Sequence, residues 1–261
     1  MRLAESEIVS PKPQRDFRPT VMGMITSCGL LPVQLVERVP GVHVRCLDAS
    51  RCYVRIMSLD PDVGFDSVEW YNLHAESVVQ RHESIRATDA NAWLKQELRA
   101  PPANALDVGA GAGRDSVWLN SLGYNVLAVE PSPRMAAHAQ RLGRSKQIEW
   151  IDDRLPYLTK VTARKVKFDL ILVSSVWMHV RPNDRVPALA ALLHLLSSGG
   201  MLAIAFCHGN SSANRPFFEC RGEEIIDIAT GLGAQLVKYT KGIAAPMSPP
   251  WVQILLRRPI I

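Results

Sequence analysis

The chain has 261 residues, 47% of them hydrophobic and 21% charged, which excludes a disordered segment and leaves room for one substantial α/β domain with an appendage. The net charge of +5 is spread among interleaved acids, so it defines no nucleic-acid patch. The five cysteines form no CxxC pair and no zinc spacing, which predicts reduced thiols in the cytoplasm and no metal.

Five prolines (Pro11, Pro13, Pro19, Pro32 and Pro40) break up the first forty residues. The apolar run from Val21 to Val33 follows a stretch containing Glu5, Glu7 and Asp16, against the basic lead of a signal peptide. No run reaches membrane-spanning length. Val42 to Cys46 and Cys52 to Ile56 alternate with period two around Leu47 to Arg51, which reads as a short hairpin. Asp60 to Gly64 reads as a linker. Residues 1–66 are therefore expected to form an N-terminal extension, either a small hairpin domain or a segment preceding a later start at Met57.

From Ser67 the pattern turns helical, with Trp70, Leu73, Val78 and His82 at helix-compatible intervals. A second helix capped by Asp89 is expected to carry Trp93, Leu94 and Leu98 until Pro101 and Pro102 stop it. Strands and helices then alternate, the sign of a parallel sheet with crossover helices. The expected strands are Ala105–Val108, Asn125–Val129, Gln147–Ile151, Phe168–Ser174 and Met201–Phe206, followed by Ala234–Thr240 and Trp251–Arg257. Expected helices are Arg114–Leu122, one capped by Ser132 with Pro133 at its first position and Gly143 past its end, Val186–Leu196 and Glu223–Gly231. The basic stretch Arg154 to Lys167, with five Lys/Arg and no acid, reads as a solvated helix face or loop.

Chemistry concentrates at the first strand-to-helix turn. Asp107-Val108-Gly109-Ala110-Gly111-Ala112-Gly113 places three glycines at alternate positions, where the backbone turns tightly and a ligand can lie against it. Arg114 follows, where a dinucleotide-binding GxGxxG would have glycine or alanine. Glu130, before Pro131, ends the second strand 17 residues after Gly113 and can accept hydrogen bonds from ribose hydroxyls. Asp152 and Asp153 end the third strand, Ser174 and Ser175 the fourth, and Ser198-Gly199-Gly200 launches the fifth.

These five segments, in this order and spacing, resemble the class I S-adenosylmethionine-dependent methyltransferases over about residues 68–257, with the small-molecule branch nearest. The resemblance implies an α/β, Rossmann-like methyltransferase fold: a mostly parallel seven-stranded sheet with helices on both faces, occupying residues 67–261. It implies S-adenosyl-L-methionine as cofactor, with Asp107 facing the amino end of its methionine portion and Gly109, Ala110, Gly111 and Gly113 making room. Glu130 and Pro131 would lie at the ribose, Asp152 or Asp153 at the adenine, and Ser174 nearby. The turn Ser198-Gly199-Gly200 departs from the family's Pro-Gly-Gly.

Transfer from a sulfonium is an in-line displacement with a neutral leaving group, so alignment matters more than acid catalysis. A base is needed only for a protonated acceptor, and His179, after the fourth strand, is the candidate. Trp70, Tyr71, Trp177 and His208 are candidate substrate contacts. Ser174-Ser175-Val176-Trp177 occupies the place of the Asn/Asp-Pro-Pro-aromatic segment of nucleobase amine methyltransferases, and no Pro-Cys nucleophile is present. A small-molecule acceptor is therefore favoured over a nucleic acid, with RNA and protein side chains as alternatives. A non-catalytic descendant of the fold and a nicotinamide-dependent oxidoreductase are the competing functions. Arg114 and the Ser198-Gly199-Gly200 turn speak against the latter.

Overall fold

The computed structural model describes residues 42–48, 51–56, 66–146, 148–207, 217–242 and 250–260. The chain divides into two units at residues 64 and 65. In the first unit, β1 (Val42–Asp48) and β2 (Arg51–Ile56) pair antiparallel, with Val42 opposite Ile56 and Cys46 opposite Cys52. This is the expected hairpin, with each strand a residue or two longer. The proline-rich leader, the Asp60–Gly64 linker and Met57 lie outside the described residues.

The second unit opens with α1 (Ser67–Glu83), whose N-cap Asp66 accepts a hydrogen bond from the Val68 N–H. Its buried face is Ala75, Val78 and Val79. Leu73 is 68% exposed. The second expected helix is corrected. Only the single turn α2 (Ala87–Ala90) and a 3-10 turn at Ala92–Leu94 form there. Asp89 caps nothing and instead binds the Arg86 guanidinium within α2's own first turn, so no side chain caps this segment as a longer helix would need.

The sheet then builds in alternation: β3 (Ala103–Val108), α3 (Arg114–Ser121), β4 (Tyr124–Val129), α4 (Pro133–Arg141), β5 (Glu149–Ile151), α5 (Thr159–Ala163), β6 (Phe168–Ser174), α6 (Arg185–Leu195), β7 (Leu196–Cys207), α7 (Gly222–Gly231), β8 (Gln235–Lys241) and β9 (Trp251–Arg257). Its seven strands lie in the order β5-β4-β3-β6-β7-β9-β8. The first five are parallel, whereas β9 runs antiparallel to both β7 and β8. The basic stretch at Arg154 holds α5, and the Gly199-Gly200 turn is absorbed into β7, whose register against β6 shifts between Phe168 and Leu170.

Strand alternation sorts the core. Leu106, Val108, Ile171, Val173, Leu202 and Ile204 meet Leu189 and Leu192 of α6 and Ile225 of α7 on one face. Ala105, Ala128, Leu172 and Ala203 meet Trp118 and Leu119 of α3 on the other. Helices thus cover both faces, and a parallel sheet requires that cover because its strands are apolar on both sides. This is the Rossmann-like architecture that the sequence implies. Among the described residues no helix is long and apolar enough to cross a membrane.

Candidate active site

The strand order reverses between β3 and β6, and the carboxyl ends of the strands beside that point border a cavity of about 1130 Å³. Open α/β sheets hold their ligands at this place. Gly109 to Ala112 form its floor, Glu130 and Pro131 one side, and Ser174, Ser175 and His179 the other.

The glycine bend is pinned to β4: the N–H groups of Gly109 and Ala110 both donate to the Val129 carbonyl, at 2.8 and 2.9 Å. Gly109 has φ +70°, and a Cβ there would overlap Cγ2 of Val176. Gly113 has φ +82° and caps the start of α3, where a Cβ would come within 2.9 Å of the Trp150 ring. It lies against that ring rather than on the cavity wall, so its part in the site is to let the helix start where it does.

Glu130 is turned onto the bend. Its Oε1 accepts from the Ser132 N–H at 2.7 Å and its Oε2 from the Gly111 N–H at 2.8 Å. Burial pushes this carboxyl up to about 7, against the pull of those two N–H donors. A carboxylate has about four acceptor sites, so two remain for a ligand's hydroxyls.

Asp107 is placed differently from the expectation. Alternation along β3 sends it, like Ala105, toward α3, where Ser116 Oγ donates to its Oδ2 at 2.5 Å. It is 2% exposed and absent from the cavity wall, so it braces the bend from behind instead of facing a ligand directly. Burial, and then the nearby Asp115 carboxylate, hold its carboxyl well above the usual range. Asp115 is itself gripped by the Arg114 guanidinium through two bonds of 2.9 Å and by Asn91 Nδ2 at 2.9 Å.

The two aspartates after β5 separate. Asp153 reaches the wall, although its oxygens accept from the N–H groups of Arg154 and Val161, at 2.9 and 3.0 Å. Asp152 is exposed, pairs with Lys160 at 3.1 Å and borders a smaller neighbouring cleft.

The aromatic expectations divide as well. Tyr71 and His179 both line the cavity and meet, Tyr71 Oη lying 3.1 Å from His179 Nε2. Trp177, by contrast, is wholly buried in the core beneath the 3-10 turn Trp177–His179 and touches no cavity. Trp70 stacks on His74 at 4.3 Å and packs edge-on to Tyr71 at 5.2 Å, off the wall. His208 lies outside the described residues.

Several wall residues escaped the sequence reading: Arg114, Glu83, Met178, Phe217, Trp251 and Gln253. Arg114 stood in the motif itself and was read only as evidence against a dinucleotide. The remainder come from distant elements that only the fold brings together. Among the described residues no cluster of His, Cys, Asp or Glu could hold a metal.

Residues 106–204 match the family model of a methyltransferase domain. An uncharacterized methyltransferase of Staphylococcus carnosus is 28% identical over 111 residues, 42% of this chain and 50% of that protein, so the chain spans half the length of that relative. Among solved structures, the 1,6-didemethyltoxoflavin-N1-methyltransferase of Burkholderia thailandensis superposes with a TM-score of 0.56 at 20% identity, over 83% of this chain and 99% of that one. The magnesium protoporphyrin IX methyltransferase of Synechocystis PCC 6803 gives 0.56 at 13% identity, over 76% and 99%. Residues 106–204 thus match the methyltransferase-domain family, on a fold that the chain shares with these methyltransferases.

Proposed function

We propose that the protein methylates a small-molecule acceptor, using S-adenosylmethionine as the methyl donor. The observation that carries this is the Glu130 carboxylate, held at 2.8 Å to the Gly111 N–H beside a bend with no side chains at its glycines. An anionic acceptor of hydrogen bonds next to a close-approach backbone suits a ribose and its adjoining chain. The donor supplies an electrophilic methyl on a sulfonium; this chain's part is to align, enclose and exclude water.

Glu130 would take the ribose hydroxyls, and Gly109, Ala110 and Gly111 would make room for the methionine portion, with Asp107 acting through the bend it braces. Asp153 or a neighbouring backbone group would lie at the adenine. In-line transfer then sends the methyl toward the wall of Ser174, Ser175 and His179. A cavity of about 1130 Å³ is somewhat larger than a single small ligand needs and suits a donor and an acceptor together. The absence of a Pro-Pro segment after β6 supports a small molecule over a nucleobase. A cytoplasmic location belongs to the same proposal and rests on the cysteine pattern.

Calorimetry with S-adenosylhomocysteine tests the reading. Wild type binds it and does not bind NAD, and Glu130→Ala weakens binding at least tenfold. Unchanged affinity in the variant, or a preference for NAD, refutes the assignment.

A further inference from the structure

The cavity has two chemically different halves. The glycine bend and Glu130 follow β3 and β4, whereas the other half lies at the carboxyl ends of β6 and β7 and the start of β9 and carries the aromatic side chains of the wall. Tyr71, His179 and Phe217 form a corner there. The Tyr71 and His179 rings lie 5.4 Å apart at 87°, and those of His179 and Phe217 5.6 Å apart at 63°. Met178 and Trp251 continue the wall. The Phe218 N–H donates to the Met178 carbonyl at 2.9 Å, which ties the segment carrying Phe217 to the turn carrying His179.

Rings set steeply to one another give a flat conjugated molecule a face to stack on and edges to meet, an arrangement that favours aromatic partners over aliphatic ones. Within that corner the Tyr71–His179 hydrogen bond joins α1 to the turn after β6. A phenol bonded to an imidazole can pass a proton without leaving its place.

Resting on the methyltransferase reading, we propose that this half of the cavity selects a planar, uncharged aromatic acceptor bearing an O–H or N–H, and that Tyr71 and His179 remove its proton as a relay. The acceptor's O–H or N–H bond breaks and its proton passes to Tyr71 Oη. Tyr71's own proton passes to His179 Nε2, leaving a neutral tyrosine and an imidazolium that later releases its proton to water. The freed lone pair of the acceptor takes the methyl, and the electron pair of the broken carbon–sulfur bond stays with sulfur. Tyr71 touches the acceptor and is catalytic; His179 acts through it.

The experiment uses the full chain saturated with S-adenosylhomocysteine, with 4-nitrophenol as probe because its neutral and ionised forms absorb differently. Binding of the probe is followed by calorimetry, and its ionisation by absorbance at one fixed slightly acidic pH. Wild type binds the probe and holds it more ionised than free solution does. Tyr71→Phe keeps the aromatic wall and binds it within about threefold, but the bound probe loses the excess ionisation, and His179→Gln loses it likewise. Phe217→Ala weakens probe binding about tenfold without altering S-adenosylhomocysteine affinity. The other charged groups on the wall, Arg154, Arg181 and Asp184 among them, are common to all these proteins, so the differences read the pair.

Failure to bind the probe while S-adenosylhomocysteine binds overturns the acceptor class. Equal ionisation in wild type and both variants overturns the relay. Failure to bind S-adenosylhomocysteine at all overturns the underlying methyltransferase reading instead.

Discussion

Glu130 makes the site sensitive to pH. Its carboxyl titrates at about 7 in the folded chain against an ordinary 4.5, because burial disfavours its charge. Between those values the native state holds a proton that the unfolded chain has lost, so this group lowers ligand-free stability as pH rises. Thermal melts should therefore show Glu130→Gln gaining on wild type from pH 5 to 7.5. A ligand donating hydroxyl hydrogen bonds favours the ionised form, so S-adenosylhomocysteine affinity should rise with pH over the same window, by at most about tenfold per unit for one proton. A pH-independent affinity, or an equal slope in Glu130→Gln, removes Glu130 from the site.

Gly109 is the position least open to change. Alanine there meets both a positive φ and the Val176 side chain, so Gly109→Ala should lose about 2 kcal/mol or more and lower Tm accordingly. A melt equal to wild type would show that the bend tolerates a side chain. Both residues were legible in the sequence, since motif order alone marks the end of β3 and the end of β4. The direction of Asp107 was not, because the chain had to commit its strand register before period-two alternation could assign that side chain to α3.

Among the elements, α1 is held over the glycine bend by an apolar patch, Ala75, Val78 and Val79 against Ala112 and Met135, and by polar contacts beside it. Arg144 grips Glu83 through bonds of 2.9 and 2.7 Å while donating to the Ala112 carbonyl at 2.9 Å. At the other end Asn72 Oδ1 accepts from Ser132 Oγ at 2.7 Å, and the same Ser132 caps α4. Arg144→Leu should loosen α1 by about 1–2 kcal/mol, seen as roughly tenfold faster amide exchange along Ser67–Glu83 with β3 and β4 unaffected. Uniform exchange throughout the domain would mean that α1 opens only with global unfolding.

The helix was visible in the sequence, but its inward face was not. Of the residues at helix-compatible intervals Val78 is buried and Leu73 is exposed, while the small Ala75 and the β-branched Val79 complete the contact. Trp177 after β6 was open to either a substrate contact or a core position from sequence, and the structure buries its indole in the core.

For the whole molecule, the seven-stranded sheet is made from residues after 102, its apolar layers take residues from Ala87 onward, and the cavity wall begins at Asp66. A protein consisting of residues 65–261 should therefore melt in a single transition and bind S-adenosylhomocysteine within about threefold of the full chain. Loss of binding would assign the first 64 residues a part in the site. Strand number and order along the chain were legible, because hydrophobic runs and glycine punctuation repeat in alternation, and cover on both faces followed from the family resemblance. The acceptor half of the cavity was not, since it joins Tyr71, His179, Phe217 and Trp251, and nothing local in sequence announces that meeting.

The antiparallel strand β9 lies between β7 and β8, although it follows both in the chain. During synthesis on the ribosome, β7 must therefore wait with a bare flank, and β8 has no neighbour at all, until Trp251–Arg257 has emerged. The nascent chain passes through a stage in which five strands are assembled and one is stranded, with exposed amide edges open to intermolecular pairing. Insertion of β9 covers the flank of β7 and gives β8 its strand partner in one step.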